Sequence, residues 1–279
     1  MPAPRSRPYA RPGIAVGSDD ATAPRPDPDR PVRVRARSLP VDTHFEPHHH
    51  AWAQLAYCAS GIVQVTVAAP DEVTYIVPPS RAVWIAPGAR HAVHVLEAAE
   101  FRSLYIDASA TPAGWAGCRM LVVSSLLREL IHALDAPAPP APARETMLTR
   151  LVLDELCNAH TQALGVPMPH PQTGDKRLRA LCEAVLRAPA ERTTLADWAV
   201  DIGASERTVA RLFRTGLGTS YQQWRQQAVL AHALPLLARG TTVSQVAAAT
   251  GYASDSAFSA MFKAAMGQSP SHFMHKNEA

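Results

Sequence analysis

Residues 195–224 read LADWAVDIGASERTVARLFRTGLGTSYQQW and residues 243–273 read VSQVAAATGYASDSAFSAMFKAAMGQSPSHF; the second stretch repeats the first. Thr194, Leu195, Ala199 and Gly203 match Thr242, Val243, Ala247 and Gly251 at an offset of 48. Ser205, Phe213, Gly218 and Ser220 match Ser254, Phe262, Gly267 and Ser269 at 49. Such self-similarity means two copies of one supersecondary unit. In the first copy Thr194 caps a short helix, Leu195 to Asp201, and Gly203 ends it where a left-handed turn is required. Ser205 then caps a second helix, Glu206 to Thr215, with Val209, Leu212 and Phe213 as its buried stripe. Ala199, four residues before the glycine, lets the two helices cross closely. Helix, glycine turn, capped helix is the helix-turn-helix plan, and Thr242, Ala247, Gly251, Ser254, Phe258 and Phe262 repeat it. A long helix, Ser220 to Ala238, joins the copies. Pro235 removes one of its backbone hydrogen bonds and is expected to kink it. Ser269-Pro270 marks another helix start.

Helical phase decides which side chains point outward. With Val209, Leu212 and Phe213 inward, Glu206, Arg207, Ala210, Arg211 and Arg214 face solvent. Arg207 and Arg211 lie one turn apart, and the guanidinium fork matches the O6 and N7 acceptors of guanine, so these two are the candidates for base readout. Arg214, nearer the helix end, suits a phosphate, and Glu206 and Thr208 complete the candidate face. Arginines serving solubility alone are the competing reading. The second copy presents Asp255, Ser256, Ser259 and Ala260, with Lys263 near the end. Ser256 and Ser259 offer little bidentate recognition, so weaker readout is expected there, with Lys263 and helix N-terminal amides on phosphates. From residue 175 onward Lys and Arg number 12 against 8 Asp and Glu, whereas residues 31–110 hold 6 against 7.

On these residues, the stretch from about 175 to 275 resembles the DNA-binding domain of the AraC/XylS family of bacterial transcription regulators. The resemblance implies seven helices, two of which enter successive major-groove segments on one face of double-stranded DNA.

Upstream the periodicity is that of strands. From Val32 to Asp107 the runs VRVRAR, WAQLAYC, IVQVTVAA, VTYIV, RAVWIA, HAVHVL and FRSLYID are separated by SG, PD, PPS and PG breaks, which predicts a small antiparallel barrel or sandwich. The alternating Arg33, Arg35 and Arg37 read as a solvated strand face rather than a nucleic-acid stripe. Six of the 12 histidines fall between residues 44 and 94. His48, His50, Gln54 and Gly61 have the spacing HxH-x3-Q-x6-G, and Gly88-x2-His91 supplies a later GxxH. This is similar to the two cupin motifs, with Gln54 where cupins usually carry glutamate. Asp42 for the usual Gly, the proline displaced to Pro87, and Val95 for the usual Asn depart from the pattern. His48 and His50 share a strand face, so with His91 and Gln54 they could hold one divalent metal. A polar effector pocket, or histidines merely satisfied by hydrogen bonds, is the alternative. His44, His49 and His94 fall outside the motif. Trp52, Tyr57 and Trp84 nearby would suit an aromatic or weakly polar effector, or simply fill the core.

Between these regions, helical periodicity over 119–134 and from Arg144 to Ala163, separated by APAPPAPA, predicts two amphipathic helices and a dimer surface. Gly165 to Gly174, with three prolines, reads as a domain boundary. The expected architecture is α+β in two domains: residues 1–30 a disordered tail, 31–110 a cupin-like antiparallel sensor barrel, 111–165 a helical connector and dimerisation region, and 175–277 an all-α double helix-turn-helix. A chain of 279 residues accommodates this, and 47% apolar content excludes a wholly disordered chain. The net charge of +3 is too small for a purely electrostatic nucleic-acid coat. Cys58, Cys118, Cys157 and Cys182 form no CxxC pair and read as small buried hydrophobes in a reducing cytoplasm. No secretory h-region or long apolar span is apparent, so neither secretion nor a membrane partner is expected.

The combined architecture resembles a one-component regulator, activator or repressor, acting in the cytoplasm on the nucleoid. Its expected partners are double-stranded DNA, a small effector, a second copy of the chain and RNA polymerase. No catalytic residue and no obligatory cofactor are expected. The competing reading is a metal-dependent, dioxygenase-like cupin enzyme tethered to DNA by its C-terminal half.

Overall fold

The computed structural model describes residues 14–16, 24–68, 72–136, 138, 140–162, 164–170, 172–191 and 194–277. Ten strands form one sheet: β1 (Ala15–Val16), β2 (Val32–Leu39), β3 (His44–His48), β4 (Ala53–Val67), β5 (Glu72–Val77), β6 (Arg81–Ile85), β7 (His91–Ile106), β8 (Arg119–Val122), β9 (Thr161–Gln162) and β10 (Gly165–Met168). The helices are α1 (Ser125–Leu134), α2 (Pro142–Asn158), α3 (Lys176–Arg187), α4 (Leu195–Asp201), α5 (Glu206–Leu217), α6 (Tyr221–Ala238), α7 (Val243–Ala249), α8 (Asp255–Met266) and α9 (Pro270–Asn277). The α+β, two-part architecture is thus the one expected, and α3 to α9 are the seven helices of its C-terminal half.

The long strands β4 and β7 pair with one another and organise the sheet: β7 also takes β2 and β3, and β4 takes β5 and β6. Alternation along them separates two apolar faces. Ala53, Leu55 and Tyr57 turn toward α1 and α2, joining Leu127, Ile131, Val152 and Leu156. Ala56, Cys58, Val63 and Val65 turn to the other side with Val83, Ile85, Val95 and Phe101, the inner core of the curled sheet.

The strand face of β2 corrects the expectation for its arginines. Arg33, Arg35 and Arg37 are half-buried, while Ala36 and Ser38 on either side of Arg37 are exposed. They stand opposite Tyr105, Ser103 and Phe101 in the β2–β7 register, so they share the inner face; Arg37 lies over the Phe45 ring, 5.2 Å from its centroid. Alternation fixes that the arginines share a face but not which face meets the core.

Other departures have similar causes. Residues 119–122 extend the sheet as β8, paired with β6, and the helix begins only after Ser124, whose hydroxyl accepts from Leu127 N–H at 2.9 Å. The second connector helix stops at Asn158 because β9 returns to pair with β8. The proline-rich stretch after Gly165 is not merely a boundary: among the described residues β10 pairs with β5 alone, an edge position that tolerates Pro167. Its Val166 and Met168 enter the core of the first helix-turn-helix. Of the presumed disordered tail, residues 1–13 and 17–23 lie outside the described residues. Ala15–Val16, however, pair in parallel with β3, and Arg30 donates to both carboxylate oxygens of Glu145 at 2.7 and 2.9 Å.

The cysteines divide. Cys58 and Cys182 are buried, and burial raises their thiol pKa values; Cys118 is half-buried and Cys157 is exposed on α2, against the expectation for all four. A maleimide pulse on the native protein should therefore label Cys157 and reach Cys58 and Cys182 only on unfolding. Peptide mapping that found Cys58 labelled first would contradict the packing described.

Candidate nucleic-acid interface and sensor site

Each repeat builds its recognition helix from the same local devices. Thr194 and Asp197 form a reciprocal capping box at α4, and Thr242 and Gln245 form its counterpart at α7. The turns carry Gly203 at φ 61° and Gly251 at φ 76°. Ser205 caps α5 through Thr208 N–H and Ser254 caps α8 through Ala257 N–H, each at 3.2 Å. Gly218 and Gly267, also repeat partners, close the two helices in the left-handed conformation. Val209 and Phe213 are buried in one core, Phe258 and Phe262 in another. Leu212, expected inside, is half-buried. α6 runs on through Pro235 to Ala238, so the proline sits in its last turn.

Glu206, Arg207, Arg211 and Arg214 are all exposed on α5. The three arginine side chains have no hydrogen bond or ion pair to another described residue. Thr208 is half-buried, and its hydroxyl lies 2.9 Å from the capping Ser205 hydroxyl. On α8, Asp255, Ser256, Ala260 and Lys263 are exposed and Ser259 is half-buried. An arginine not singled out from the sequence braces the two modules. Arg225 of α6 donates to the carbonyls of Pro189 at 3.2 Å and Thr250 at 3.1 Å, with its guanidinium 6.0 Å from the Tyr252 ring centroid.

At one end of the sheet's inner face His48, which ends β3, His50, which lies just beyond that strand rather than on it as expected, and His91, which opens β7, converge with ligand atoms within 4.8 Å of one another. Each ring Nδ1 donates to a main-chain carbonyl two residues away: His48 to Glu46 at 2.8 Å, His50 to Trp52 at 2.7 Å and His91 to Ala89 at 2.9 Å. A carbonyl can only accept, so Nδ1 carries the proton and every neutral ring presents a lone pair on Nε2. Burial holds the His91 imidazole down at about 3 and lowers that of His48, which keeps both rings neutral. His91 is 1% exposed, and its Nε2 is buried without a hydrogen-bond partner.

Gln54 joins this group. Its Oε1 is 3.0 Å from His50 Nε2 and its Nε2 donates to the Ser103 hydroxyl at 2.9 Å. With both His50 Nε2 and Oε1 as acceptors, the contact needs either a turned amide that donates to the ring or a cation shared by both lone pairs. The residues thus fit a divalent metal: three imidazoles whose Nδ1 atoms are held by outer carbonyls, and one orphaned buried nitrogen. Trp52 stacks on His50 at 5.2 Å and 6°, and Tyr105 meets the same imidazole edge-on at 5.9 Å. Tyr57 and Trp84 belong instead to the opposite core. His44 and His94 lie near carboxylates of Glu46 and Asp42, away from the three-histidine cluster.

Comparison with known proteins agrees with both halves. Residues 198–276 match a family model described as a helix-turn-helix domain, and residues 33–207 match one described as an AraC-like ligand binding domain. The HTH-type transcriptional regulator NimR of Escherichia coli (strain K12) is 37% identical over 231 residues, 81% of each chain. The HTH-type transcriptional regulator RipA of Corynebacterium glutamicum is 33% identical over 108 residues, covering 39% of this chain and 32% of its own. Among solved structures, ToxT from Vibrio cholerae aligns over 88% of this chain and 98% of its own, with 13% identity and a TM-score of 0.36.

Proposed function

The chain belongs to the AraC family of HTH-type transcriptional regulators, and from that premise we propose that α5 and α8 read neighbouring segments of one DNA duplex under control of a small molecule held beside the histidine cluster. The observation that carries this is the face of α5, where Arg207, Arg211 and Arg214 stand exposed on a helix capped and packed by the repeat. Arg207 and Arg211 take guanine edges and Arg214 a phosphate. Ser256, Ser259 and Lys263 give α8 a weaker, largely backbone-directed contact. The chain acts on DNA in the cytoplasm; among the described residues no helix is long and apolar enough to cross a membrane.

In the sensor half, His48, His50, His91 and Gln54 would hold a divalent metal, which would supply a Lewis-acidic anchor for an effector. The aromatic wall of Trp52 and Tyr105 favours a planar effector at this end. We read this as binding without catalysis. A homodimer is supported by the exposed Leu126, Met147 and Leu151 on α1 and α2, apolar side chains that a second copy would cover.

Binding to the DNA upstream of its own gene, measured across a salt series, tests the reading. Affinity well above that for random DNA of equal length is expected, and equal affinity at every salt would remove the proposed function. Metal analysis of tag-free protein should find about one equivalent, lost in H48A and H91A. No metal in the wild-type protein, even after zinc addition and desalting, would leave the cluster a purely organic pocket.

A further inference from the structure

The strand β6 reads Arg81-Ala-Val-Trp-Ile85 and is buried throughout, a charge opening an apolar segment. Arg81 is 4% exposed. Its Nε donates to Gln162 Oε1 at 2.6 Å, its Nη1 to the carbonyl and hydroxyl of Ser80 at 2.9 and 3.0 Å, and its Nη2 to the carbonyl of Met266 at 2.9 Å. None of these acceptors is a carboxylate. Met266 ends α8, where unpaired helix carbonyls concentrate partial negative charge. The sensor sheet therefore grips the C-terminal end of the second recognition helix through a buried cation whose compensation is a helix dipole.

The contact is embedded in a shared core. Ile62 and Ile76 of the sheet pack in one cluster with Leu230 and Leu234 of α6 and Phe262 and Met266 of α8. An ion pair near this junction, Arg239 with Glu97, has a half-exposed arginine and is weakened by solvent. At its far end β6 sets Ile85 opposite Gln54, and in the following turn Gly88 N–H donates to the carbonyl of His50 at 2.8 Å. One short, fully buried strand thus touches the histidine cluster at one end and α8 at the other.

We infer that Arg81 is the positioning residue that fixes α8 on the ligand-binding half, so that the second recognition helix is presented to DNA by the sensor sheet. This rests on the reading of α8 as a DNA-facing helix. Leaving the Met266 carbonyl would strip Nη2 of its acceptor while Nε and Nη1 stay bonded to Gln162 and Ser80, so separation of α8 from the sheet leaves one charged N–H unpaired.

Hydrogen exchange on the full-length protein without DNA tests the grip itself. In Arg81→Met, which keeps the aliphatic stem, amides in 263–269 should exchange roughly tenfold faster while those in 206–217 are unchanged; Arg81→Lys should fall between. Unchanged protection in 263–269, or equal loss in α5 and α8, overturns the proposal. Footprinting on the operator is the second arm: Arg81→Met should weaken protection of the segment under α8 more than that under α5. Uniform weakening counts against positioning. If Lys263→Ala leaves the footprint untouched, the fault lies in the DNA reading of α8 and not in the exchange result.

Discussion

Arg211→Ala should cost about 1–3 kcal/mol of base discrimination, a loss of roughly 5- to 150-fold, at one guanine of the operator. The side chain is exposed and makes no hydrogen bond or ion pair to another described residue, so its removal leaves no buried partner and no cavity. The folded state should be unaffected to within about 0.5 kcal/mol, because surface substitutions away from packed features rarely do more. Arg214→Ala should behave differently. A phosphate contact carries no sequence information, so affinity should fall on operator and random DNA alike, and the salt slope should drop by about one ion. A binding matrix of both variants against single-base operator changes separates the two roles. If Arg211→Ala weakens all sequences equally, Arg211 is a backbone contact and base readout rests on Arg207.

The C-terminal half was legible because its determinants are local. Caps, turn glycines and the spacing of Val209 and Phe213 act within a few residues, and repetition doubled each signal. The histidine cluster was legible for a related reason: His48 and His50 are two residues apart, although His50 falls just past the end of β3 and not on it, and only His91 had to arrive from elsewhere. What escaped depends on partners far apart in sequence. The facing of Arg33, Arg35 and Arg37 follows from β2 pairing with β7, and β8 forms because β6 offers it an edge. Arg81 had a visible signal, one cation heading an otherwise apolar strand, but its acceptor on Met266 lies 185 residues away. Ser103 was invisible as a partner of Gln54 until β4 and β7 were in register.

The bend in β4 gives the largest expected loss of stability. Gly61 has φ 75° and lies where the β4–β7 register shifts between Ser60 and Ile62. A Cβ added there would meet the carbonyl oxygen of Ala98 at 2.1 Å and the Cα of Ala99 at 2.6 Å, backbone atoms that cannot swing aside. Gly61→Ala thus combines a left-handed alanine, about 1–2 kcal/mol, with an overlap that forces the strands apart, about 1–3 kcal/mol. The sum, about 2–5 kcal/mol, is a large part of a typical domain's stability. The control is Gly88→Ala: its φ is also 75°, but nothing lies within 4 Å of the added atom, so only the left-handed cost of about 1–2 kcal/mol is expected. Thermal melts should show the Gly61 variant falling well below the Gly88 variant, and equal midpoints would mean that the bend is not sterically fixed. The consequence reaches function because β4 carries Gln54 on one side of the bend and Ile62 on the other. Gln54 faces the histidines, and Ile62 packs with the second helix-turn-helix. Forcing the strand straight would pull one of these from its place, so any Gly61→Ala protein that folds should bind its operator through α5 with α8 poorly seated.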